Sequence, residues 1–552
     1  MRGRGRLVVI VEAFGKIAVA RRVFREVFGD REVVVLATGG ALYDLPGNRL
    51  GISENGEPEW TPVSRRRLGF LARALQRTEA GDLILVVTDA DRMGELTAMH
   101  VWDLARRVGA RGEMRRVRAS VLEERAVQRA CERMVEEPDR HRAEAETLRR
   151  LVDRLIGWEF SRRAAAELIR YGWRREWGHP AVGRVKMAFL DLLDGLRRGD
   201  VEGSKLLVAA RGFAGAVGAV VRLDGQGWGR MRVLGVDRVR RAQGTKLARF
   251  LGSTGRRAGV RQALRSYRSL QRLYEKGLAS YPRTRSEEFS PEGVETIKAV
   301  AVFEGLLPAE AVPREDGFAH EGLRPAMALA VDDVARLLKA EAETEEKKKE
   351  EKKEEMSELI AAYERLYRMF VERAVWGERR YEVEITWSDG SRERTTIALD
   401  GSEENRRFEE VLTRAIREDR DIEVWAGGAL ILSKDAGWVF EDFMRLVDER
   451  GVGAPSTYVP ILASLCEKGY VSEDRFEVRE PGTVLLEWVR DREPWLGMNL
   501  SAHLERMLEE YEEGRLGLAE MVETLREGSR GRLDVQRLPK ASERLRLSPV
   551  GI

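Results

Sequence analysis

Over about the first 120 residues, short apolar runs alternate with amphipathic stretches. Continuous apolar runs of the length of buried strands occur at residues 7–11, 33–36 and 83–87. The stretches 17–27 and 65–75 lie between them and have helical periodicity. This alternation predicts a parallel α/β sheet, and ligands of such sheets bind at the carboxyl ends of the strands. Glu12 follows the first strand and Asp89 the third, so we expect these two carboxylates to converge.

The pattern alternates between helical and strand-like stretches further along the chain. From about residue 119 to residue 198 it is mostly helical, and it then becomes strand-like at residues 206–210 and 231–236. Helical periodicity returns at residues 261–274, and we expect this helix to continue past Tyr281. Strand-like runs resume at residues 381–387, 394–399, 422–425 and 429–432, and the last stretch is helical. Strand-like sequence on both sides of a helical stretch predicts one β domain interrupted by a helical insertion.

An unbroken run of eleven charged residues, all Lys or Glu, occupies residues 345–355. A run without apolar positions has no face to bury in a core. We therefore interpret it as a solvated helical spacer rather than a binding site.

Composition limits the class of protein. A chain of 552 residues predicts two to four domains, with 43% hydrophobic and 34% charged residues. The 96 basic and 93 acidic residues nearly cancel, so a nucleic-acid surface must come from the distribution of charge rather than its total. The sequence contains two cysteines, Cys131 and Cys466, which cannot form a disulfide framework or a cysteine-type zinc site and suit a reducing cytoplasm. No apolar stretch approaches the roughly 18 to 20 residues of a membrane helix. Abundant Arg, Glu and Val with scarce Asn and Cys are typical of a thermophile.

Acidic residues follow the third predicted strand. Asp89 and Asp91 are two residues apart on a turn, so both carboxylates can reach one cation, and magnesium accepts such ligands while keeping waters or phosphate oxygens. Such a cluster alone is more often a solvated turn. The spacing of Glu12 and Lys16 after the first strand favours the functional interpretation.

A tyrosine next to an arginine forms the second candidate. In the segment Ser280-Tyr281-Pro282-Arg283-Thr284, Arg283 can hold a phosphate and lower the pKa of the tyrosine hydroxyl, which is near ~10 when unperturbed. Taken alone, such a segment is usually a turn with a half-buried ring. The third candidate is His320, in the segment His320-Glu321-Gly322-Leu323-Arg324-Pro325, for which a capping histidine is an equally good interpretation if the segment stands alone.

These segments, in this order, resemble the motifs of the type IA DNA topoisomerases. The segment from Asp89 to Glu95 resembles the Asp-x-Asp-x-Glu-Gly-Glu of the family's Toprim domain, with Met93 at the middle Glu. The tyrosine segment resembles Tyr-x-Arg-Thr-Asp-Ser, with Arg285 at the Asp, and the histidine segment resembles His-Glu-Ala-Ile-Arg-Pro.

Further segments extend the resemblance from about residue 7 to about residue 525. Gly183-Arg184-Val185-Lys186 resembles Gly-Arg-Val-Gln, and Gly453-Ala454-Pro455-Ser456-Thr457-Tyr458 resembles Gly-Arg-Pro-Ser-Thr-Tyr. The segment Asp-Arg-Leu-Ile-Gly-Trp around Arg154 is most similar to the topoisomerase half of reverse gyrase.

The resemblance implies a multidomain fold with α/β, α and β parts, in which an N-terminal Toprim α/β domain joins a toroidal type IA core. Its implied domains are a Toprim domain at 1–150, a helical DNA-binding domain at 151–204 and 436–552, a β-rich arch at 205–260 and 380–435, and a helical domain at 261–379. The last contains Tyr281 and the charged Lys/Glu insertion.

The resemblance also implies a mechanism and a set of site residues. Tyr281 attacks a DNA phosphate and becomes joined to the 5′ side, while Glu12 serves as general acid and, on resealing, as base. Charge on the phosphate is stabilised by Lys16, Arg283 and His320. The implied ligands of Mg²⁺ are Asp89, Asp91, Glu95 and Glu12. The implied DNA contacts are Arg184, Lys186, Arg324, Ser456 and Thr457.

The sequence contains no Gly-x-x-x-x-Gly-Lys-Ser/Thr loop, the commonest ATP site. We therefore expect either an enzyme that relaxes negative supercoils alone or the topoisomerase subunit of a split reverse gyrase with a helicase-like ATPase partner. The expected substrate is single-stranded or underwound DNA, in a prokaryotic cytoplasm at the nucleoid. A Toprim nuclease or primase and a catalytically weakened DNA-binding paralogue remain as alternatives.

Overall fold

The computed structural model describes residues 5–29, 31–119, 121–200, 205–209, 217–221, 223–314, 320–343, 349–428, 436–529, 531–539 and 547. Its strands are β1 (Leu7–Val11), β2 (Val33–Ala37), β3 (Tyr43–Asp44), β4 (Thr61–Pro62), β5 (Leu83–Val87), β6 (Glu113–Arg116), β7 (Lys205–Ala209), β8 (Val217–Val221), β9 (Gly227–Val236), β10 (Arg379–Trp387), β11 (Arg392–Leu399) and β12 (Ile422–Gly428).

The α-helices in the first half of the chain are α1 (Lys16–Val27), α2 (Arg65–Gln76), α3 (Arg92–Arg107), α4 (Glu124–Glu132), α5 (Arg140–Glu167), α6 (Arg184–Arg198), α7 (Leu247–Ala258) and α8 (Val260–Glu275). Those of the second half are α9 (Pro291–Glu304), α10 (Val331–Glu343), α11 (Lys349–Phe370), α12 (Glu403–Arg417), α13 (Ala436–Glu449), α14 (Pro455–Glu467), α15 (Glu480–Arg492), α16 (Met498–Glu512) and α17 (Leu518–Gly528).

The N-terminal sheet is parallel, with the strand order β2-β1-β5-β6. All five residues of β1 are buried, as the continuous apolar run predicts for a strand covered on both faces. The strands β1 and β5 pair in register from Leu7 opposite Leu83 to Val11 opposite Val87. Their carboxyl ends therefore lie side by side, which brings the residues after each strand to one edge of the sheet.

The second sheet has six strands in the order β11-β10-β9-β12-β7-β8. Two separate chain regions build it, since β7 to β9 come before the tyrosine segment and β10 to β12 come after it. Apolar residues of β10 and of α12 share its core, including Tyr381, Ile385, Phe408 and Leu412. The chain thus combines helical and sheet regions.

The helix expected to continue past Tyr281 ends earlier, so that expectation is wrong. Helix α8 stops at Glu275, because Gly277 takes the left-handed conformation (φ 73°) that ends helices. Tyr281 lies in an irregular segment, where the Ser280 amide donates to the Arg324 carbonyl oxygen at 3.0 Å.

Some elements do not follow the expected domain boundaries. Helix α5 runs through residue 150 and packs against α3, and α7 lies inside the stretch expected to be β-rich up to residue 260. Helix α11 contains the second part of the 345–355 charged run. The strand expected at 429–432, and residues 345–348 of the charged run, lie outside the described residues.

Ion pairs of the buried Glu95 hold the first turn of α3 against the parallel sheet. Glu95 is fully buried and accepts hydrogen bonds from Arg116 Nη2 at 3.1 Å and Arg118 Nε at 2.6 Å. Burial alone would raise the pKa of Glu95, but the two guanidinium groups hold it below its usual range. Arg116, itself fully buried, also donates to the carbonyl oxygens of Thr88 and Asp89, both at 2.9 Å. The pair therefore fixes the turn between β5 and α3.

None of the helices in the described part of the chain combines the length and the apolar character that a membrane crossing requires.

We predict that Glu95→Gln lowers the free energy of unfolding by about 3–5 kcal/mol, because it leaves the buried Arg116 without its anionic partner. Chemical denaturation measures this loss. Glu26→Gln, at an exposed position, is the matched control and should change stability by less than about 0.5 kcal/mol. Equal stability of the two variants would contradict the structural role of Glu95.

Candidate active site

Tyr281 is part of the segment that follows α8, and its side chain is buried against the carboxyl edge of the parallel sheet. Only 1% of the residue is exposed. Its hydroxyl donates a hydrogen bond to Asp91 Oδ2 at 2.5 Å. Its ring lies 4.1 Å from the His320 ring and 5.3 Å from the Tyr274 ring, measured between centroids. The structure thus brings together residues about 190 positions apart in the sequence.

Lys16, Asp89 and Tyr274 form a buried triad beside this tyrosine. Lys16 Nζ donates to Asp89 Oδ1 at 2.5 Å and to the Tyr274 hydroxyl at 2.6 Å. The Tyr274 hydroxyl in turn donates to Asp89 Oδ1 at 2.9 Å. Burial works against ionisation of Asp89, but Lys16 is close enough to hold the pKa of this carboxyl below its usual range.

Glu12 lies next to Asp89, as its position after β1 predicts. The Asp89 amide points to Glu12 Oε2 at 3.4 Å. Burial, followed by the negative charges of Asp89 and Asp91, raises the pKa of Glu12 to about 8, against the opposing effect of Lys16. The carboxyl is therefore mostly protonated at neutral pH and can donate a proton.

The electrostatics of Tyr281 differ from the expectation based on Arg283. Burial and the carboxylates Asp91 and Asp89 raise the pKa of Tyr281 well above its ordinary value, although Arg283 opposes them. Arg283 Nε donates to the Tyr267 hydroxyl at 3.1 Å. In this closed arrangement the phenol is protonated, and its ionisation requires an acceptor for the proton.

The surroundings of His320 differ from those of Arg324. Burial lowers the pKa of His320, and its Nδ1 atom is buried without a hydrogen-bond partner in the part of the chain that the structure describes. Arg324, by contrast, is fully buried away from solvent, and its Nε atom donates to Glu321 Oε2 at 2.8 Å. It also donates to the carbonyl oxygens of Pro325 and Ala326, both at 3.0 Å. We expected Arg324 to contact DNA, but in this structure its hydrogen bonds stabilise the segment that contains His320.

The expected magnesium ligands are not arranged as a metal site. Asp89 is occupied by Lys16 and Tyr274, and Asp91 accepts both the Tyr281 hydroxyl and the Gly94 amide, the latter at 2.7 Å. Glu95 is occupied by two arginines. Throughout the described residues, no three His, Cys, Asp or Glu side chains are gathered so as to hold a metal ion. The side chains in this arrangement therefore do not fit the implied Mg²⁺, because protein cations neutralise Asp89 and Glu95 and neutral donors occupy Asp91.

Met93 replaces the family's middle glutamate and has a polar partner of its own. Arg150 Nη2 donates to Met93 Sδ at 2.8 Å. The same arginine pairs with Asp44 at 2.7 Å and with Glu146 at 3.0 Å. A guanidinium group therefore occupies the space beside the position where the family has a carboxylate.

The remaining expected DNA contacts lie outside the tyrosine pocket. Arg184 is 1% exposed and pairs with Asp153 at 2.6 Å and Glu505 at 2.7 Å, so its guanidinium group is not available to a phosphate. Burial and Lys468 lower the pKa of Lys186, and Ser456 and Thr457 lie half-buried in the first turn of α14.

Sequence reasoning missed two residues of the site. Tyr274 lies on the apolar face of α8, and its position in the helical pattern carries no signal that distinguishes it from a core residue. Arg285, noted only as a departure from the family pattern, donates to the Tyr458 hydroxyl at 3.2 Å and lies 3.6 Å from Asp448. It links the tyrosine segment to α14, and the acidic partner on α13 could not be identified from spacing.

Comparison with known proteins supports the resemblance that the motifs indicate. The family model for DNA topoisomerase matches residues 259–523. Reverse gyrase 2 of Aeropyrum pernix is 26% identical over 71% of this chain and 32% of its own length. The reverse gyrase of Pyrococcus furiosus is 23% identical over 90% of this chain and 44% of its own length. The chain thus spans less than half the length of these curated relatives.

The fold also has a counterpart among solved structures. Full-length topoisomerase I from Thermotoga maritima superposes with a TM-score of 0.62 at 17% identity, covering 96% of this chain and 90% of that one. At this identity the match shows the fold. Together with the sequence matches, it confirms the expected resemblance. The chain is therefore a relative of the type IA DNA topoisomerases, and reverse gyrases are among the proteins that it resembles.

Proposed function

We propose that this chain is a DNA topoisomerase that breaks one DNA strand by forming a 5′-phosphotyrosine at Tyr281, passes a strand and reseals the break. The observation that carries this proposal is the position of the Tyr281 hydroxyl, 2.5 Å from Asp91 and in the same pocket as Glu12, Lys16, Arg283 and His320. A nucleophile, a proton acceptor, a proton donor and cations are thereby assembled around one volume.

The proton transfers balance in this scheme. The Tyr281 oxygen attacks phosphorus, and its proton passes to Asp91, the carboxylate that already accepts its hydrogen bond. The bond between phosphorus and the 3′ oxygen breaks, and Glu12 gives its proton to that oxygen. In the reverse step the 3′ hydroxyl attacks, Glu12 recovers a proton and Asp91 returns one to the phenol. The phosphotyrosine conserves the bond energy, so resealing needs no ATP.

Protein cations supply the electrostatic stabilisation in this proposal. Lys16 and Arg283 adjoin the tyrosine and are the cations available to the phosphate oxygens. His320, whose pKa burial lowers, can instead donate a hydrogen bond from Nδ1, which has no partner among the described residues. No step passes through Mg²⁺, because Asp89, Asp91 and Glu95 are already bound by other groups. Lys186, Ser456 and Thr457 remain our proposed DNA contacts outside the pocket.

DNA can reach Tyr281 only if the pocket opens, since the residue is 1% exposed. The faces that must separate are joined by the Lys16–Tyr274 hydrogen bond and by an ion pair between Arg129 and Glu292. Opening along this seam, with the Toprim sheet on one side and the tyrosine segment on the other, is the movement that we propose for strand passage through a toroid.

A second candidate function is that of topoisomerase subunit in a split reverse gyrase. The matches to reverse gyrases, which this chain covers over 32% and 44% of their length, favour it. The partner would then be a helicase-like ATPase, which supplies the energy that resealing cannot.

We predict covalent trapping of DNA. Wild-type protein incubated with 5′-labelled and 3′-labelled single-stranded DNA, then denatured, should remain attached to the 5′ end created by cleavage, and a chelator should not prevent attachment. Tyr281→Phe should abolish the adduct. Tyr274→Phe, the matched change in the same pocket, should slow attachment without abolishing it. Attachment at a 3′ end, or an adduct in Tyr281→Phe, would refute the mechanism.

We predict that cleavage slows as pH rises above about 8. The raised pKa of Glu12 keeps its carboxyl protonated below about 8, so the general acid is present there and is lost as pH rises through that value. Single-turnover cleavage rates should show this fall. In Glu12→Gln they should be about 10²- to 10⁴-fold lower, without the alkaline limb. Glu26→Gln is the control and should behave as wild type. If the cleavage rate of Glu12→Gln still falls above about pH 8, a group other than Glu12 causes that fall.

We predict relaxation of negatively supercoiled plasmid without ATP. Two-dimensional gels at high temperature should show topoisomers approaching the relaxed state, unaltered by ATP, because the 552 residues contain no P-loop. Positive topoisomers made by this chain alone would contradict the proposal. Addition of a helicase-like ATPase partner should make positive supercoiling ATP-dependent if the second candidate is correct.

A further inference from the structure

The outward side of α2 is basic and aromatic. Residues Arg66, Phe70 and Arg73 follow one another at spacings of four and three, so they lie on one side of the helix, with Arg65 next to them. All three arginines are exposed, and Phe70 is 57% exposed. The opposite side contributes Leu68, Leu71 and Leu75 to the core. We refer to Arg65, Arg66, Phe70 and Arg73 as the basic α2 face.

The charges of this face have no carboxylate partners among the described residues. In the part of the chain that the structure describes, neither Arg65, Arg66 nor Arg73 makes an ion pair with a carboxylate. Some exposed arginines on other helices do, as Arg407 pairs with Glu403 and Arg414 pairs with Glu418. Helix α2 itself contains no acidic residue.

Two of these arginines also lie at the unfavourable end of the helix. Arg65 and Arg66 are in the first turn of α2, where the helix dipole disfavours positive charge and no acidic residue compensates, whereas Arg73 is in the last turn. Local stability therefore does not account for the placement of Arg65 and Arg66. A bound external anion would account for it, because its negative charge would reduce the repulsion among the arginines and interact favourably with the positive end of the helix dipole.

Helix α2 is joined to the loop that contains Glu12 through Arg67 and Gly39. The Arg67 guanidinium donates to the Gly39 carbonyl oxygen. The amides of Gly39 and Gly40 donate to the Glu12 carbonyl oxygen at 2.8 and 3.0 Å. Phe14 is 56% exposed, and its ring lies against Gly39, where an added Cβ would be 2.6 Å from a ring carbon. The loop that contains Glu12 thus carries an exposed aromatic ring, and both this ring and Arg67 of α2 adjoin Gly39.

We propose that the basic α2 face, together with Phe14, binds single-stranded DNA adjoining the scissile phosphate. Arg65, Arg66 and Arg73 contact backbone phosphates, and the rings of Phe14 and Phe70 stack on bases. Exposed rings favour a single strand over a duplex, whose bases are already stacked on one another. This inference rests on the proposed function, because it assigns a further substrate contact to the same site.

Salt-dependent binding tests the phosphate contacts. Fluorescence anisotropy with a labelled oligothymidylate should show that Arg65→Gln/Arg66→Gln/Arg73→Gln binds at least about 10-fold more weakly at 0.1 M salt. The slope of log affinity against log salt should decrease by about 2, since each phosphate contact on a single strand contributes about 0.7. The matched control replaces Arg238, Arg392 and Arg417 with Gln, three exposed arginines of the β-rich part, and should retain wild-type affinity and slope.

Loss of the two aromatic rings should change binding in a different way from loss of the arginines. Phe14→Leu/Phe70→Leu should weaken binding about 10-fold or more while leaving the salt slope unchanged, because stacking releases no counterions. Circular dichroism verifies that each variant is folded.

Three outcomes overturn the inference: unchanged affinity and slope in the arginine variant, equal losses in the control variant, or tighter binding of duplex than of single-stranded DNA. In each case Tyr281-dependent trapping on a short oligonucleotide would leave the proposed function standing. Absence of trapping by wild-type protein, with the arginine-dependent binding intact, would instead refute the proposed function and leave a DNA-binding face.

Discussion

The closed contact between the sheet edge and the tyrosine segment is the constraint on which the rest of the site depends. It consists of the Tyr281–Asp91 hydrogen bond and the buried triad of Lys16, Asp89 and Tyr274. Lys16, Asp89 and both tyrosines are buried and Asp91 is half-buried. The buried charges of Lys16 and Asp89 are stable because they compensate each other. Tyr281 is thereby held protonated and inaccessible, and the reaction that we propose requires the two faces to part around DNA.

Charge compensation explains why the site differs from the four-carboxylate arrangement that the family resemblance implies. The buried Arg116 and the half-buried Arg118 neutralise Glu95, Lys16 neutralises Asp89, and Arg150 lies beside Met93. A site that supplies its own cations has less need of a divalent ion at these carboxylates. The same arrangement leaves Glu12, surrounded by Asp89 and Asp91, as the carboxyl with the raised pKa and thus as the proton donor.

Sequence patterns predicted those parts of the fold that follow from local periodicity. The convergence of Glu12 and Asp89 follows from two buried parallel strands, and the structure shows their carboxyl ends side by side. The end of α8 before Tyr281 depends on the left-handed Gly277, which periodicity did not identify. Burial of Arg184 depends on a carboxylate brought from elsewhere, Glu505, which is 321 residues away, and long-range charge pairing of this kind has no signature in spacing. Arg324 pairs locally with Glu321, but the sequence does not show that the histidine segment is buried.

Identification of the modified residue tests the central claim most directly. The covalent adduct formed with single-stranded DNA is denatured and digested with nuclease and protease, and the remaining peptide is sequenced by mass spectrometry. The account predicts a nucleotide joined through its 5′ phosphate to Tyr281. A nucleotide on Tyr274, which shares the pocket and lies beside Lys16, or a linkage through a 3′ phosphate, would contradict it.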